Sequence, residues 1–232
     1  MAIKVYIHAT DISGDIDITM EQAKLLKQTG LMDAAGEVII CTHYNENSFL
    51  PLKELLKDQR NVTYKHFGPE YQQWFEYTTC LQLKEDAKQS DFFALYIHNK
   101  GSYTRTYPNY LWRKYMEYFC IERWKDCVEI LFGGYETCGA GYMREEENIP
   151  PYNFYAGNFF WAKSEYINRC KDLKTPPEVN FASQFEGQDN LRYDLEYWHG
   201  SGKPKWFDLH PGEIRRWYSA PEAYRTDLKP NN

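Results

Sequence analysis

Up to Gly101 the chain alternates between short apolar runs and longer stretches of helical spacing. The runs Lys4 to Thr10, Val38 to Thr42, Val62 to His66 and Phe92 to Ile97 are rich in β-branched and aromatic residues and read as strands. Between them, Met20, Ala23, Leu25 and Leu26 recur at helical intervals, with Thr19 as a candidate cap and Gly30 as a stop. Pro51 to Lys57 predicts a short helix. Pro69 opens a longer one through Trp74, Tyr77, Thr78, Leu81 and Leu83. Strand–helix alternation of this kind predicts an α/β fold whose mostly parallel sheet is covered on both faces.

After Gly101 the spacing changes character. A Tyr/Thr/Arg loop at residues 102 to 108 leads to an amphipathic helix carrying Leu111, Trp112, Tyr115, Met116 and Phe119. Helical spacing continues from Cys127 to Phe132 and stops at Gly133-Gly134. Residues 135 to 153 hold glycines, consecutive glutamates and Pro150-Pro151, and read as a long surface excursion. Asn153 to Ala162 reads as one strand with an internal glycine, which marks a bulge or a close approach to the backbone. A helix from Ser164 to Cys170, a Pro-rich linker at 175 to 177 and a helix from about Gln188 to Trp198 follow. The remainder, to Asn232, has little periodicity and reads as a wrapping tail or linker.

Composition narrows the classes. The formal net charge of −6 does not favour nucleic acid or an anionic membrane surface as a partner. No apolar run has the length of a membrane span. The opening residues Met1 to His8 begin on a strand and lack the apolar stretch of a signal peptide, and the cysteines lie without metal-type spacing. Reduced core thiols and a cytoplasmic location are the expectation. Aromatics make up 17%, with 20 Tyr and 7 Trp, a supply of flat faces with polar handles that suits sugars and bases.

The strongest candidate chemistry lies where the fourth strand ends, at His98-Asn99-Lys100-Gly101. Ligands of open α/β sheets sit outside the carboxyl ends of strands, so His98 and Lys100 are expected to face one. Asp11 follows the first strand and is either a ligand contact or a turn and cap residue. Asp15-Ile16-Asp17 matches a metal-binding Asp-x-Asp, but after a different strand. Arg113 is placed to grip a phosphate or a hydroxyl and Trp112 to stack, or the pair is a buried Trp with a snorkelling Arg. Gly157 and Asn158 offer a close approach and an amide for sugar hydroxyls. For general base work Asp189 comes first and Glu196 second. They share one helix face, although Asp189 is equally placed as an N-cap.

Taken in order, His98-Asn99-Lys100-Gly101, Trp112-Arg113, Gly133-Gly134-Tyr135, Gly157 to Ala162, and Arg192 through Glu196-Tyr197-Trp198 resemble GT-A-type glycosyltransferases. The likeness is to the rhamnan-synthesis type and to a capsid-glycosylating group encoded by chlorella viruses, and covers roughly residues 3 to 200. It implies one GT-A-like domain over residues 1–232: a nucleotide-sugar half at 1–101, an acceptor half at 102–200, and a tail at 201–232. It implies a UDP-sugar donor, with UDP-rhamnose a candidate, a glycan or viral capsid glycoprotein as acceptor, and the host cytoplasm as the setting if the chain is viral. Thr10, Asp11, Thr79, His98, Lys100, Gly101 and Arg113 become donor-binding candidates, and Trp112, Gly157 and Asn158 sugar- or acceptor-binding ones.

His98-Asn99-Lys100 stands where that family usually carries Asp-x-Asp, so Mn²⁺ or Mg²⁺ is an open question. Either Lys100 meets the diphosphate charge itself, or His98 is a ligand to the ion with help from Asp11, Asp15 or Asp17, or His98 is simply a hydrogen-bonded turn histidine. The segment His199 to Trp206 is similar to the closing segment of glycogenin-like transferases, which implies a metal role for His199 and a phosphate role for Lys203. A metal-dependent, retaining, glycogenin-like transferase and a non-catalytic carbohydrate-binding module with a degenerate nucleotide site are the competing readings.

Overall fold

The computed structural model describes residues 1–11, 16–144, 153–175, 177, 190–211 and 220–225. Its centre is a seven-stranded sheet in the order β3-β2-β1-β4-β8-β5-β9. The strands β1 (Ala2–Thr10), β2 (Glu37–His43), β3 (Val62–Phe67) and β4 (Phe92–His98) form a parallel block. Every residue of β4 is buried, because the strand lies mid-sheet with helices on both faces, which is why it reads as an unbroken apolar run.

Side chains of β4 alternate between two cores. Phe93, Leu95 and Ile97 enter one, which also holds Leu26 of α1 (Asp17–Gln28) and Leu131 of α6 (Trp124–Phe132). Between these helices in sequence come α2 (Leu31–Ala34), α3 (Leu50–Leu55), α4 (Tyr77–Ala87) and α5 (Tyr107–Glu117). Phe92, Ala94 and Tyr96 enter the second core, covered by α4, α7 (Ser164–Arg169) and α8 (Asn190–Trp198). α5 passes into α6 through a π-helical turn, Tyr118–Glu122.

Five expectations change. Thr19 lies inside α1 rather than capping it: the helix starts at Asp17, an acidic residue suited to a helix N-terminus, and Thr19 is fully buried. The long helix from Pro69 divides into a 3₁₀ segment, Pro69–Trp74, and α4, because Phe75 takes φ +49° between them. The corner puts Glu76 at the start of α4, at the sheet's carboxyl edge. The excursion after residue 135 contains β5 (Thr137–Gly139), an inner strand, and β6 (Tyr142–Met143). The single strand at 153–162 is two, β7 (Phe154–Tyr155) and β8 (Phe160–Lys163), parted by a turn in which Gly157 and Asn158 both have positive φ. The tail contributes the edge strand β9 (Trp206–Asp208), parallel to β5, and the short helix α9 (Pro221–Tyr224).

β8 runs antiparallel to both β4 and β5, so β4, β5 and β9 share one direction. The carboxyl ends of these strands and the entry to β8 therefore meet along one edge. All six cysteines are buried and free, as a chain of reduced core thiols requires. Among the described residues, no helix is long and apolar enough to cross a membrane.

Candidate functional site

Strand order turns back between β1 and β4, and α/β sheets bind ligands outside such a reversal. The two strand ends are tied together there. The Asn99 amide N–H donates to the His8 carbonyl (3.2 Å) and its side-chain Nδ2 to the Thr10 carbonyl (2.7 Å). Gln22 of α1 donates to the His98 carbonyl (2.9 Å). Gly101 closes the turn at φ +91°, a conformation that glycine adopts without strain.

His98 is held at both ring nitrogens. Nδ1 lies 3.1 Å from Glu76 Oε1, and Nε2 lies 2.9 Å from the Gly157 carbonyl. Both partners are oxygen atoms of the protein, so neither ring nitrogen is left open. The Glu76 side chain, 14% exposed, also accepts from Asn158 Nδ2 (2.8 Å) and from the Tyr96 hydroxyl (3.1 Å). Burial by itself raises a carboxyl; here attraction to His98, the hydrogen bond with it, and His8 outweigh burial and hold Glu76 well below the carboxylate range. Glu76 thus joins the end of β4 to the turn before β8.

That turn is packed as tightly as its glycine allows. A Cβ on Gly157 would lie 2.5 Å from Met116 Sδ and 3.2 Å from Trp112 Cε2, so α5 seats directly on it. Asn158 is buried; its Nδ2 is used by Glu76, while Oδ1 is buried without a partner. Lys100 is also buried, with Nζ 3.9 Å from the centroid of a Trp112 ring, a cation–π contact at the same edge.

Two buried histidines extend the cluster under α4. His8 Nδ1 meets Thr79 Oγ1 at 3.0 Å and His43 Nε2 meets Thr78 Oγ1 at 2.8 Å, and the two rings lie 4.7 Å apart. Burial lowers His8 to about 4, against the attraction of Glu76. Burial, with repulsion from His8 and His66, lowers His43 to about 2.

Of the sequence candidates, Thr10, Asp11, Thr79, His98, Lys100, Gly101, Trp112, Gly157 and Asn158 gather at this edge. Thr79 is committed to His8, and Asp11 Oδ1 accepts the Asn45 amide at 3.4 Å. Arg113 lies nearby, but its Nη1 is shared between Glu21 (2.8 Å) and Glu117 (3.1 Å) and its side chain is 4% exposed. It serves two carboxylates instead of pointing at an open phosphate site.

Others are separated from the edge. Lys203 is exposed at φ +51° in the turn that leads into β9, hence at the amino ends of the parallel strands, opposite this edge. His199 is completely buried, accepts the Tyr155 amide at Nε2 (3.2 Å), packs 4.5 Å from the Phe160 ring, and is lowered by burial to about 3. Glu196 is half-buried on α8, and Asp189 lies outside the described residues. Among the described residues no group of three or more His, Cys, Asp or Glu is placed to hold a metal ion.

Glu76, His8 and His43 escape the reading of the sequence. A signal is present: each strand of the parallel block carries a histidine within its last three residues, at His8, His43, His66 and His98. Glu76 carries no such mark, since it depends on the unforeseen break at Phe75.

Fold and edge together define an α/β protein with a buried cluster of polar and aromatic side chains at the switch point of a mixed sheet. The chain belongs to the family described as Domain of unknown function (DUF8361), whose model matches residues 3–219. No curated protein matches it.

Proposed function

We propose that the chain is a GT-A-like glycosyltransferase that binds a nucleotide-sugar, a UDP-sugar first among candidates, at the sheet edge between β1 and β4. The observation that carries this reading is the convergence of Asp11, Lys100, Gly101 and Asn158 at the strand reversal, with a buried Asn158 oxygen lacking a donor. In this reading Asp11 and Thr10 meet the ribose or base. Lys100 and the Gly101 amide meet the diphosphate, whose negative charge grows as the glycosidic bond breaks. Asn158 Oδ1 accepts a hydrogen from a sugar hydroxyl, and Trp112 offers a face to the ring.

His98 acts through position: with both nitrogens engaged it has none left for a metal, and it fixes the Gly157 carbonyl beneath the sugar. The described donor set does not fit a divalent ion in the usual Asp-x-Asp place, and Lys100 supplies the compensating charge. The acceptor hydroxyl oxygen bonds to the anomeric carbon as the bond to the phosphate oxygen breaks. The acceptor proton passes either to a carboxylate on or near α8, Asp189 or Glu196, or to the departing phosphate. A capsid glycan as acceptor rests on the sequence resemblance alone.

Thermal shift with UDP, GDP and CMP, each with Mn²⁺ and with EDTA, tests the reading. Millimolar UDP should raise the melting temperature if the site is micromolar, and EDTA should leave that rise in place. Lys100→Met should abolish it. No response to any nucleotide overturns the proposal. A rise that EDTA removes overturns the role of Lys100, and binding without sugar release from any UDP-sugar leaves a binding module.

A further inference from the structure

We infer that Tyr103, Tyr107 and Tyr110 form a glycan-docking platform beside the site, receiving the C–H faces of pyranose rings in an acceptor saccharide. The inference rests on the transferase reading for the acceptor's role, but not for saccharide binding itself. Among the described residues, three of the six exposed large hydrophobic side chains are these tyrosines, at 76%, 70% and 45% exposure. They fall within eight residues on the segment that leaves Gly101. Tyr107 and Tyr110 have nearly parallel rings, 15° apart with centroids 6.2 Å apart, so they present one stepped surface.

The platform is pre-organised. Thr106 caps α5 by accepting the Asn109 amide, Asn109 Nδ2 donates to the Thr104 carbonyl (2.8 Å), and the Ser102 amide donates to the Asn99 carbonyl (3.1 Å). A bound chain therefore finds the loop already ordered, and tyrosine loses little side-chain freedom on contact. Arg113 and Lys114 lie 5.6 and 5.7 Å from the Tyr110 ring centroid and steady it. Two residues after Tyr110, on another side of α5, Trp112 covers Lys100.

Composition points to a saccharide over a protein. Residues 102 to 110 are Ser-Tyr-Thr-Arg-Thr-Tyr-Pro-Asn-Tyr, without Leu, Ile, Met or Phe. Protein-binding patches centre on an apolar core, whereas a sugar needs flat rings for its C–H face and short polar groups for its hydroxyls. Arg113 and Lys114 beside the patch are neutralised by Glu21 and Glu117, so a neutral chain suits it best.

The test uses the full chain on an array of immobilised oligosaccharides of hexose, deoxyhexose, N-acetylhexosamine and uronic acid, with nucleotide thermal shift measured in parallel. Binding to at least one class is expected, weakened about tenfold by Tyr107→Ala with Tyr110→Ala and largely kept by the two Tyr→Phe changes. The UDP-induced shift should be unchanged in both variants, so a lost platform and a lost nucleotide site are read separately. Equal array binding by the double alanine variant overturns the inference, as does absence of array binding beside an intact nucleotide shift. Sedimentation showing a dimer that the double variant dissolves also overturns it, by naming a second copy as the occupant.

Discussion

The parallel block β3-β2-β1-β4 and the short-stranded side β8-β5-β9 share a sheet but are held by different means. The block has strands of six to nine residues, filled by Val5, Ile7, Val38, Ile40, Leu95 and Ile97, all fully buried aliphatic side chains. Its partner has strands of three or four residues and relies on buried aromatics that bond to backbone. Trp161 donates to the Cys120 carbonyl, Trp198 to Lys171, Tyr155 to Phe207 and Tyr166 to His199. Where strands are too short to satisfy each other, side chains with both apolar area and a donor do the joining. Two polar residues from the first region stitch the second to it: Glu76 through Asn158, and the buried Lys84, which donates to the carbonyls of Ile167, Asn168 and Cys170 at the end of α7.

Acid should strain both sides, and most strongly. His8, His43 and His199 have folded values lowered to about 4, 2 and 3 from an ordinary 6.5. The unfolded chain therefore takes up their protons first as pH falls below about 6.5, and stability is whole above that and lost on acidification. Each contributes a slope of up to about 1.4 kcal/mol per pH unit. Glu76, lowered below its ordinary 4.5, adds loss at the acid end. Denaturant midpoints at pH 7, 6 and 5 should fall steadily; a flat profile would sink the argument. His43→Gln and His199→Gln, measured separately, show which side yields first.

Cutting the stitches comes next in size. Lys84→Ala strands three carbonyls and should cost about 4 kcal/mol. Glu76→Ala leaves His98 without its carboxylate and should cost about 3 kcal/mol, with hydrogen exchange rising around Asn158. Loss below 1 kcal/mol in either case would mean the sides are joined by the sheet alone. Level with the second stitch, Leu95→Ala should cost about 3 kcal/mol by cavity, and smaller again, Trp161→Phe about 2 kcal/mol, mostly through the orphaned Cys120 carbonyl. The exposed pair Lys53–Glu46 in the block calibrates the low end: Lys53→Ala should change stability by less than about 0.5 kcal/mol.

The same contrast explains what the sequence makes legible. The parallel block is written in runs of β-branched and aromatic residues long enough to register, and its strands and their mostly parallel pairing follow from them, whereas their order does not. Thr137–Gly139 and Trp206–Asp208 are too short for periodicity to speak, and glycines and prolines around them favour the reading of loops. At the site, His98, Lys100, Gly157 and Asn158 are visible from their own neighbourhoods. Glu76 is not, because its meaning comes from a turn 82 residues away, and Lys203 misleads because a local likeness says nothing about which edge a turn faces.

The antiparallel course of β8 also bears on how the chain is made. β1 to β4 are complete once His98 has emerged, but the free edge of β4 waits for Phe160 to Lys163, and β5 waits for Trp206 before its outer side is closed. Through that interval of synthesis a strand of seven buried residues has an unpaired edge, the kind of surface that recruits other chains. The edge cluster, built from the ends of β1 and β4 and the Gly157-Asn158 turn, becomes whole only after Asn158 has been made.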